Sequence, residues 1–334
     1  MDVKSAKSGM ELSREYFFNI AEPSLRREFP ELYPRLAAGL AGNGSECFGY
    51  DDSLSRDHDW GADFFIWTTE SDAGLIPALR SWKSALLRAS PPPFPRERSE
   101  YGAHIGVMTC GEFYTSLTGV PECPKTLNEW LRVPEDNFAL AVNGDVFMDG
   151  AGDFTKTRTR LLEYFPEDLR RKRISAKCMA LAQTGQYNLD RTAKRNDIVT
   201  LQSVLSRFTD GSLAMVFLLN RVYKPYYKWA FRAARDLPVL GAETSRLLLR
   251  IARSRFTAGD SGAVPPAGPH DGSPAGSLAE CKECIAELCA LFASELRAQG
   301  LSETEDWFLT THAEEVRRGI GDEFLRSLPA QLEI

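Results

Sequence analysis

The sequence predicts an α+β protein: a small sheet with helices over residues 1–150, followed by a helical bundle over residues 151–334 that carries a Gly/Pro/Ser-rich loop at 257–277. Three observations support this. Up to Gly150, short apolar and β-branched runs alternate with segments of helical period. Beyond Gly152, helical period dominates with no convincing strand. Between Thr257 and Ser277, 12 of 21 residues are Gly, Pro or Ser, too little apolar surface to offset ordering entropy, so this stretch reads as a mobile loop or linker.

The elements follow in order. Met10 to about Leu40 reads as one or two short helices interrupted at Pro23 and Pro30, where the ring removes an amide donor. A glycine-rich turn covers Gly42 to Gly44. Phe64-Phe65-Ile66-Trp67-Thr68 is aromatic and β-branched and reads as a buried strand. Ala73 to Arg88 is helical, His104 to Thr109 is a strand, and short helices follow at Gly111 to Leu117 and around Leu127 to Val133. Asp145 to Asp149 is a short strand ending in a Gly150-Ala151-Gly152 turn. In the second half, helices are expected over Thr155–Tyr164, Glu167–Gln186, Ile198–Tyr223, Ala242–Phe256, Leu278–Arg297 and Thr304–Leu328.

The chain of 334 residues has 43% hydrophobic and 26% charged residues, the balance of an ordinary globular protein. The longest apolar stretches fall far short of the ~18 residues that span a bilayer, and the first thirty residues lack a signal peptide's pattern. A cytoplasmic protein without a membrane partner is the expectation. Seven cysteines, an odd number in a long chain, read as reduced thiols. Cys281, Cys284 and Cys289 lie on an amphipathic helical pattern with no fourth ligand at zinc-finger spacing, which favours core packing over zinc. The net charge of -6 conceals an asymmetry: residues 1–149 carry 14 basic and 23 acidic residues, residues 150–256 carry 21 and 9, and residues 257–334 carry 5 and 14. A basic middle between acidic ends either concentrates a polyanionic ligand or is neutralised by its neighbours. The pI near 5.5 and the acidic flanks disfavour a long nucleic acid as partner.

The chemistry concentrates between Gly44 and Asp59. Asp57 and Asp59, at i and i+2 of an extended segment, point to one face, where two like charges are costly unless they share a cation. Hard oxygen donors fit Mg2+ or Mn2+. Upstream, Gly44 and Ser45 offer backbone N–H groups and a hydroxyl that hold a phosphate without a bulky side chain in the way. His58 falls between the aspartates on the opposite strand face, a packing or hydrogen-bonding position; no histidine precedes it, which excludes the HD-type phosphohydrolase pattern. Arg56 reads equally as phosphate clamp or salt bridge. Tyr223-Lys224-Pro225-Tyr226-Tyr227-Lys228-Trp229 interleaves aromatics with lysines: either Tyr226 and Lys228 contact a triphosphate or base across a cleft, or this is a helix end packed by aromatics with its lysines in solvent.

Gly-Ser, 11 residues, then Asp-His-Asp before an apolar strand resembles the signature of the DNA polymerase beta-type nucleotidyltransferase superfamily. A sheet domain followed by a bundle is similar to the layout of kanamycin nucleotidyltransferase. FGYDDSLSRDHDWG, GDVFMDGAGDFT and RVYKPYYKWAF resemble the bacterial domain-of-unknown-function family 4037 over roughly residues 25–240. The resemblance implies a nucleotidyltransferase-like small mixed sheet, a metal held by Asp57 and Asp59, and a nucleoside triphosphate gripped by Gly44 and Ser45. It implies transfer of a nucleoside monophosphate to an unidentified hydroxyl acceptor: a small molecule, a protein or an RNA end. Two departures stand out. Phe48 occupies the place of a phosphate-contacting arginine, and Gly106 that of the superfamily's third carboxylate, which Glu112, Asp145 or Asp149 would have to supply. Without one, the fold reads as a catalytically inactive nucleotide-binding or protein-interaction module.

Overall fold

A computed structural model of the chain describes residues 7–56, 61–90, 106–254 and 277–334. The architecture is α+β, and the chain divides into two compact units, residues 1–164 and 165–334.

The first unit opens with α1 (Gly9–Tyr16), capped reciprocally by Ser8 and Glu11. It runs through a π turn, Phe17–Ala21, into α2 (Glu22–Glu28). The expected interruption at Pro23 is therefore absent. Pro23 sits in the first turn of α2, where the spacing of backbone bonds changes and a missing donor costs little. Near Pro30 the helix does stop. A larger correction concerns Ala37–Leu40, expected to end a helical stretch. It is β1, buried at all four positions and paired on both sides. Ala and Leu favour helix in isolation, but two strand partners and full burial override that preference.

Among the described residues the sheet has the order β3-β2-β1-β4. Strands β2 (Phe65–Thr68) and β4 (Asp145–Asp149) flank β1 antiparallel, and β3 (Val107–Thr109) runs parallel to β2. A 3-10 turn, Glu70–Leu75, leads into α3 (Ile76–Ala89). Helix α4 (Cys110–Thr118) leaves β3 with no intervening loop, and α5 (Leu127–Leu131), α6 (Glu135–Val142) and α7 (Asp153–Leu162) complete the unit. Phe64 and Ile66 join Tyr16, Phe17, Leu25 and Leu79 in one apolar cluster. Phe65 and Trp67 meet Phe113 instead, and Trp67 stacks on Phe154 of α7 with centroids 3.9 Å apart. With both sheet faces covered, β2 reads as a continuous apolar run rather than an alternating one. Because α7 is bound to the sheet in this way, the division of the chain falls after α7, not at residue 150.

One irregularity interrupts the β1–β4 ladder. Ala38 pairs with Met148 but Gly39 with Val146, so Phe147 is an extra residue on β4. It packs on Phe17 and Phe18. At Gly39 a Cβ would fall 2.3 Å from the Asp145 carbonyl oxygen, so only glycine fits the bulge.

The second unit is helical: α8 (Glu167–Leu181), a π segment Ala182–Asn188, α9 (Leu189–Lys194), α10 (Ile198–Asn220), α11 (Tyr227–Ala234), α12 (Gly241–Arg253), α13 (Leu278–Ala298), α14 (Leu309–Arg318) and α15 (Glu323–Ser327). The sequence reading did not anticipate α9 and α11, and it joined α14 to α15 across Gly319 and Gly321. Most of the Gly/Pro/Ser-rich stretch lies outside the described residues; its last residue, Ser277, caps α13. Phe208, Met215, Leu247, Leu288 and Phe292 form the core together with Cys178, Cys281, Cys284 and Cys289. All seven cysteines are free; burial raises the Cys284 thiol and pushes those of Cys281 and Cys289 up to about 12, so these three helical cysteines act as small hydrophobes. The buried Lys172 ammonium donates to the carbonyls of Pro329, Ala330 and Leu332 at 2.9, 3.2 and 2.6 Å, tying the C-terminal segment to α8. Among the described residues no helix is long and apolar enough to cross a membrane.

Candidate functional site

The turn after β1 is built on glycines. Gly42 and Gly44 have φ of 93° and 126°, a region that side chains avoid, and a Cβ on Gly44 would lie 2.8 Å from the Glu46 carboxyl carbon. Glu46 is itself only 3% exposed, an acid folded back over the turn that the sequence reading did not single out. Ser45 leads into a 3-10 turn, Glu46–Phe48, and its carbonyl accepts from the amides of Phe48 and Tyr50. The N–H groups of Gly44 and Ser45 and the Ser45 hydroxyl have no acceptor among the described residues. Phe48 stacks on Tyr50 with ring planes 11° apart.

The loop before β4 fastens this turn from outside. The Gly42 amide donates to Asn143 Oδ1 at 2.7 Å, and Asn143 Nδ2 donates back to the Gly42 carbonyl at 2.8 Å. The Gly144 amide donates to the Cys47 carbonyl at 2.8 Å. Gly144 has φ 70°, and a Cβ there would lie 2.0 Å from the Leu40 carbonyl oxygen. Arg158 of α7 closes the set by donating to the carbonyls of Val142 and Gly144. Burial lowers the Arg158 pKa, and these two carbonyls supply acceptors for its guanidinium.

Strand direction decides what gathers near the turn. β1 runs into it, and Gly39 lies opposite Phe65 while Leu40 lies opposite Asp145. The chain entering β2, the residue before β3 and the start of β4 therefore all reach this same end of the sheet. Asp57, Asp59 and the side chain of Arg56 lie outside the described residues; the Arg56 backbone closes a short 3-10 turn, Ser53–Arg56. The next acid, Asp63, is fully buried, and its Oδ1 lies 2.7 Å from Lys83 Nζ of α3. Sequence reasoning passed over this pair. The available signal was Lys83 itself, which falls on the apolar stripe of α3 after Ile76 and Leu79.

The three candidates for a third carboxylate separate cleanly. Asp145 sits at the end of the sheet that bears the turn, and it is ion-paired with Arg14 of α1. Asp149 sits at the other end and accepts from the amides of Gly152 and Thr155, capping α7. Glu112 follows β3, also at the other end, and completes a capping box with Thr109. Gly106 directly precedes β3, and its carbonyl accepts the Ile66 amide at 3.0 Å. In the second unit, the Tyr226 hydroxyl accepts the Trp229 indole N–H at 2.6 Å, and the Lys228 ammonium lies 5.1 Å from the centre of the Trp229 ring. Both are engaged in packing the start of α11.

Among the described residues no group of three or more His, Cys, Asp or Glu side chains converges to hold a metal.

Residues 130–230 match the family described as Domain of unknown function (DUF4037). The matched stretch contains Asn143, Gly144 and Arg158, which fasten the turn, and it runs through Tyr226 and Lys228. No curated protein and no solved structure matches the chain.

Proposed function

We propose that the protein is a metal-dependent nucleotidyltransferase. A substrate hydroxyl attacks the α-phosphorus of a nucleoside triphosphate, the bond to the bridging oxygen breaks, pyrophosphate leaves with its electron pair, and the hydroxyl proton passes to water. What supports this reading is the turn: two backbone N–H groups and a hydroxyl without acceptors, at Gly44 and Ser45, held by Asn143 and Gly144 at the end of the sheet where the chain from Asp57 and Asp59 enters β2. Donors presented without a Cβ in the way suit phosphate oxygens. Asp57 and Asp59 would carry Mg2+ or Mn2+, which supplies charge to offset that of the phosphates.

Thermal shift with ATP, GTP, CTP and UTP in the presence of Mg2+ tests this. A shift that needs the metal and disappears in Asp57→Asn, Asp59→Asn, while Ser45→Ala reduces it, is the expected result. No shift with any nucleotide in the folded protein refutes it. The engagement of Asp145, Asp149 and Glu112 favours a second reading, a nucleotide-binding module without turnover. Binding with no pyrophosphate release in an acceptor screen would support that reading instead.

A further inference from the structure

At the opposite end of the same sheet, beyond the C-terminal ends of the parallel strands β2 and β3, lies a groove of about 720 Å³. The ends of parallel strands are where α/β sheets open room for ligands, because the chain diverges there into helices and loops. Glu70 follows β2, Cys110 and Gly111 begin α4 directly off β3, and α7 forms the facing wall with Asp153, Lys156, Thr157 and Arg160.

The charges in this groove are of both signs: Glu122 is paired with Lys125 and Glu112 caps α4, but four others among the described residues are unengaged. Glu70, Asp153, Lys156 and Arg160 make no side-chain hydrogen bond or ion pair among the described residues. Lys156 and Arg160 are four residues apart on α7 and so form one basic ledge. Glu70 is held over the first turn of α4: a Cβ on Gly111 would fall 2.5 Å from Glu70 Oε1, so the glycine leaves room for that carboxylate. Thr157 is only 8% exposed, lines the groove, and its hydroxyl has no hydrogen-bond partner among the described residues. Its oxygen is not one of the fully buried unpartnered polar atoms among the described residues, so it is reached from the groove rather than sealed in the core.

The field along the groove is polar. The Cys110 thiol is pushed up to about 12, first by burial and then by Asp149, Asp153 and Glu70, which marks the end near α4 as negative. At the other end Lys125 chiefly lowers the Glu122 carboxyl, with smaller help from Lys156 and Arg160, and Arg160 opposes the rise that burial gives the Cys123 thiol. A purely anionic ligand would meet Glu70, Asp153 and Glu122; a purely cationic one would meet Lys156 and Arg160. A ligand bearing one charge of each sign meets neither penalty, and a groove of this volume is of small-molecule size.

We propose that this groove binds a free amino acid, its carboxylate on Lys156 and Arg160, its ammonium between Glu70 and Asp153, with the Thr157 hydroxyl bonding between them. The inference does not rest on the nucleotidyltransferase reading, whose described residues Gly44 and Ser45 follow β1 at the other end of the sheet.

The test is isothermal titration of the full chain with each of the twenty common L-amino acids in turn, with inorganic phosphate and putrescine as probes of a single charge sign. Saturable one-to-one binding of at least one amino acid is expected. Lys156→Glu, Arg160→Glu should weaken it at least tenfold, Glu70→Gln and Thr157→Val several-fold, and Ser45→Ala not at all. Lys156, Arg160 and Glu70 are exposed, so these variants keep the fold, which a melting curve verifies. The proposal is overturned if no amino acid binds, if phosphate or putrescine binds as tightly, or if binding survives the double charge reversal.

Discussion

Asn143 offers the sharpest test of how the turn after β1 is held. Asn143→Ala removes the bond from the Gly42 amide and the bond to the Gly42 carbonyl. A side chain to backbone bond contributes about 0.5–1.5 kcal/mol net, so the pair is worth about 1–3 kcal/mol to the first unit. Partial burial lets water replace some of this, which places the expectation in the lower half of that range. Gly144→Ala should cost more. It demands a left-handed backbone from a residue with a Cβ, about 1 kcal/mol, and sets that Cβ 2.0 Å from the Leu40 carbonyl oxygen, a clash relieved only by moving β1. The order, Gly144→Ala more damaging than Asn143→Ala, is the signature of a turn fastened by close backbone approach and then by the amide. Urea unfolding gives the free energies, and hydrogen exchange over residues 37–50 shows whether the loss is local. An Asn143→Ala effect under about 0.5 kcal/mol with unchanged exchange, or the reverse order, would refute this account. If the turn grips phosphate, Asn143→Ala also shrinks the nucleotide-induced thermal shift.

Three further outcomes follow from the geometry. Lys172→Met, similar in volume but without donors, should lower the stability of the second unit by about 2–4 kcal/mol and expose residues 329–334 to carboxypeptidase; an unchanged digestion rate would contradict the role given to the three carbonyl bonds. With its thiol pushed up to about 12, Cys110 should react with iodoacetamide at neutral pH about a thousandfold more slowly than an unperturbed thiol, checked by mass spectrometry of the alkylated peptide. The bidentate hydrogen bonds from Arg35 hold the Asp72 carboxyl below its ordinary 3.8, so this contribution is complete above that value and is lost as pH falls through the lower folded value. Arg35→Leu should flatten the acid limb of the stability curve below about pH 4, and an unchanged limb would exclude the pair as its source.

Much of the first unit was legible because its signals are local. Phe65–Thr68 and Asp145–Asp149 are short runs bounded by Gly or Asp, and α4 starts at a Thr109/Glu112 capping box. What escaped depended on partners far away in sequence. Ala37–Leu40 is strand only because β2 and β4 close on it, and nothing within the four residues says so. Pro23 misled because a π turn ahead of it tolerates a missing donor. Near the candidate site, the turn at Gly42 to Gly44 was readable from its glycines. The burial of Glu46, the Asn143 clamp across about a hundred residues and the Asp63–Lys83 pair all depend on tertiary contact. The separation of Asp145 from Asp149 and Glu112 required strand direction, which no local pattern encodes.

The extra residue on β4 acts as a phase inverter. In an uninterrupted strand, residues four apart share a face, and Asp145 and Asp149 would point the same way, setting two carboxylates on one side of an edge strand. The bulge at Phe147 takes up one residue without advancing the ladder and so reverses the alternation halfway along. Asp145 and Phe147 then turn toward α1, where Arg14 pairs with the first and lies 5.7 Å from the ring centre of the second, while Asp149 turns away to cap α7. A one-residue slip thus assigns one acid to each side of the sheet. Deleting Phe147 would leave the two acids three apart and so still on opposite faces, while removing the ring that packs on Phe17 and Phe18.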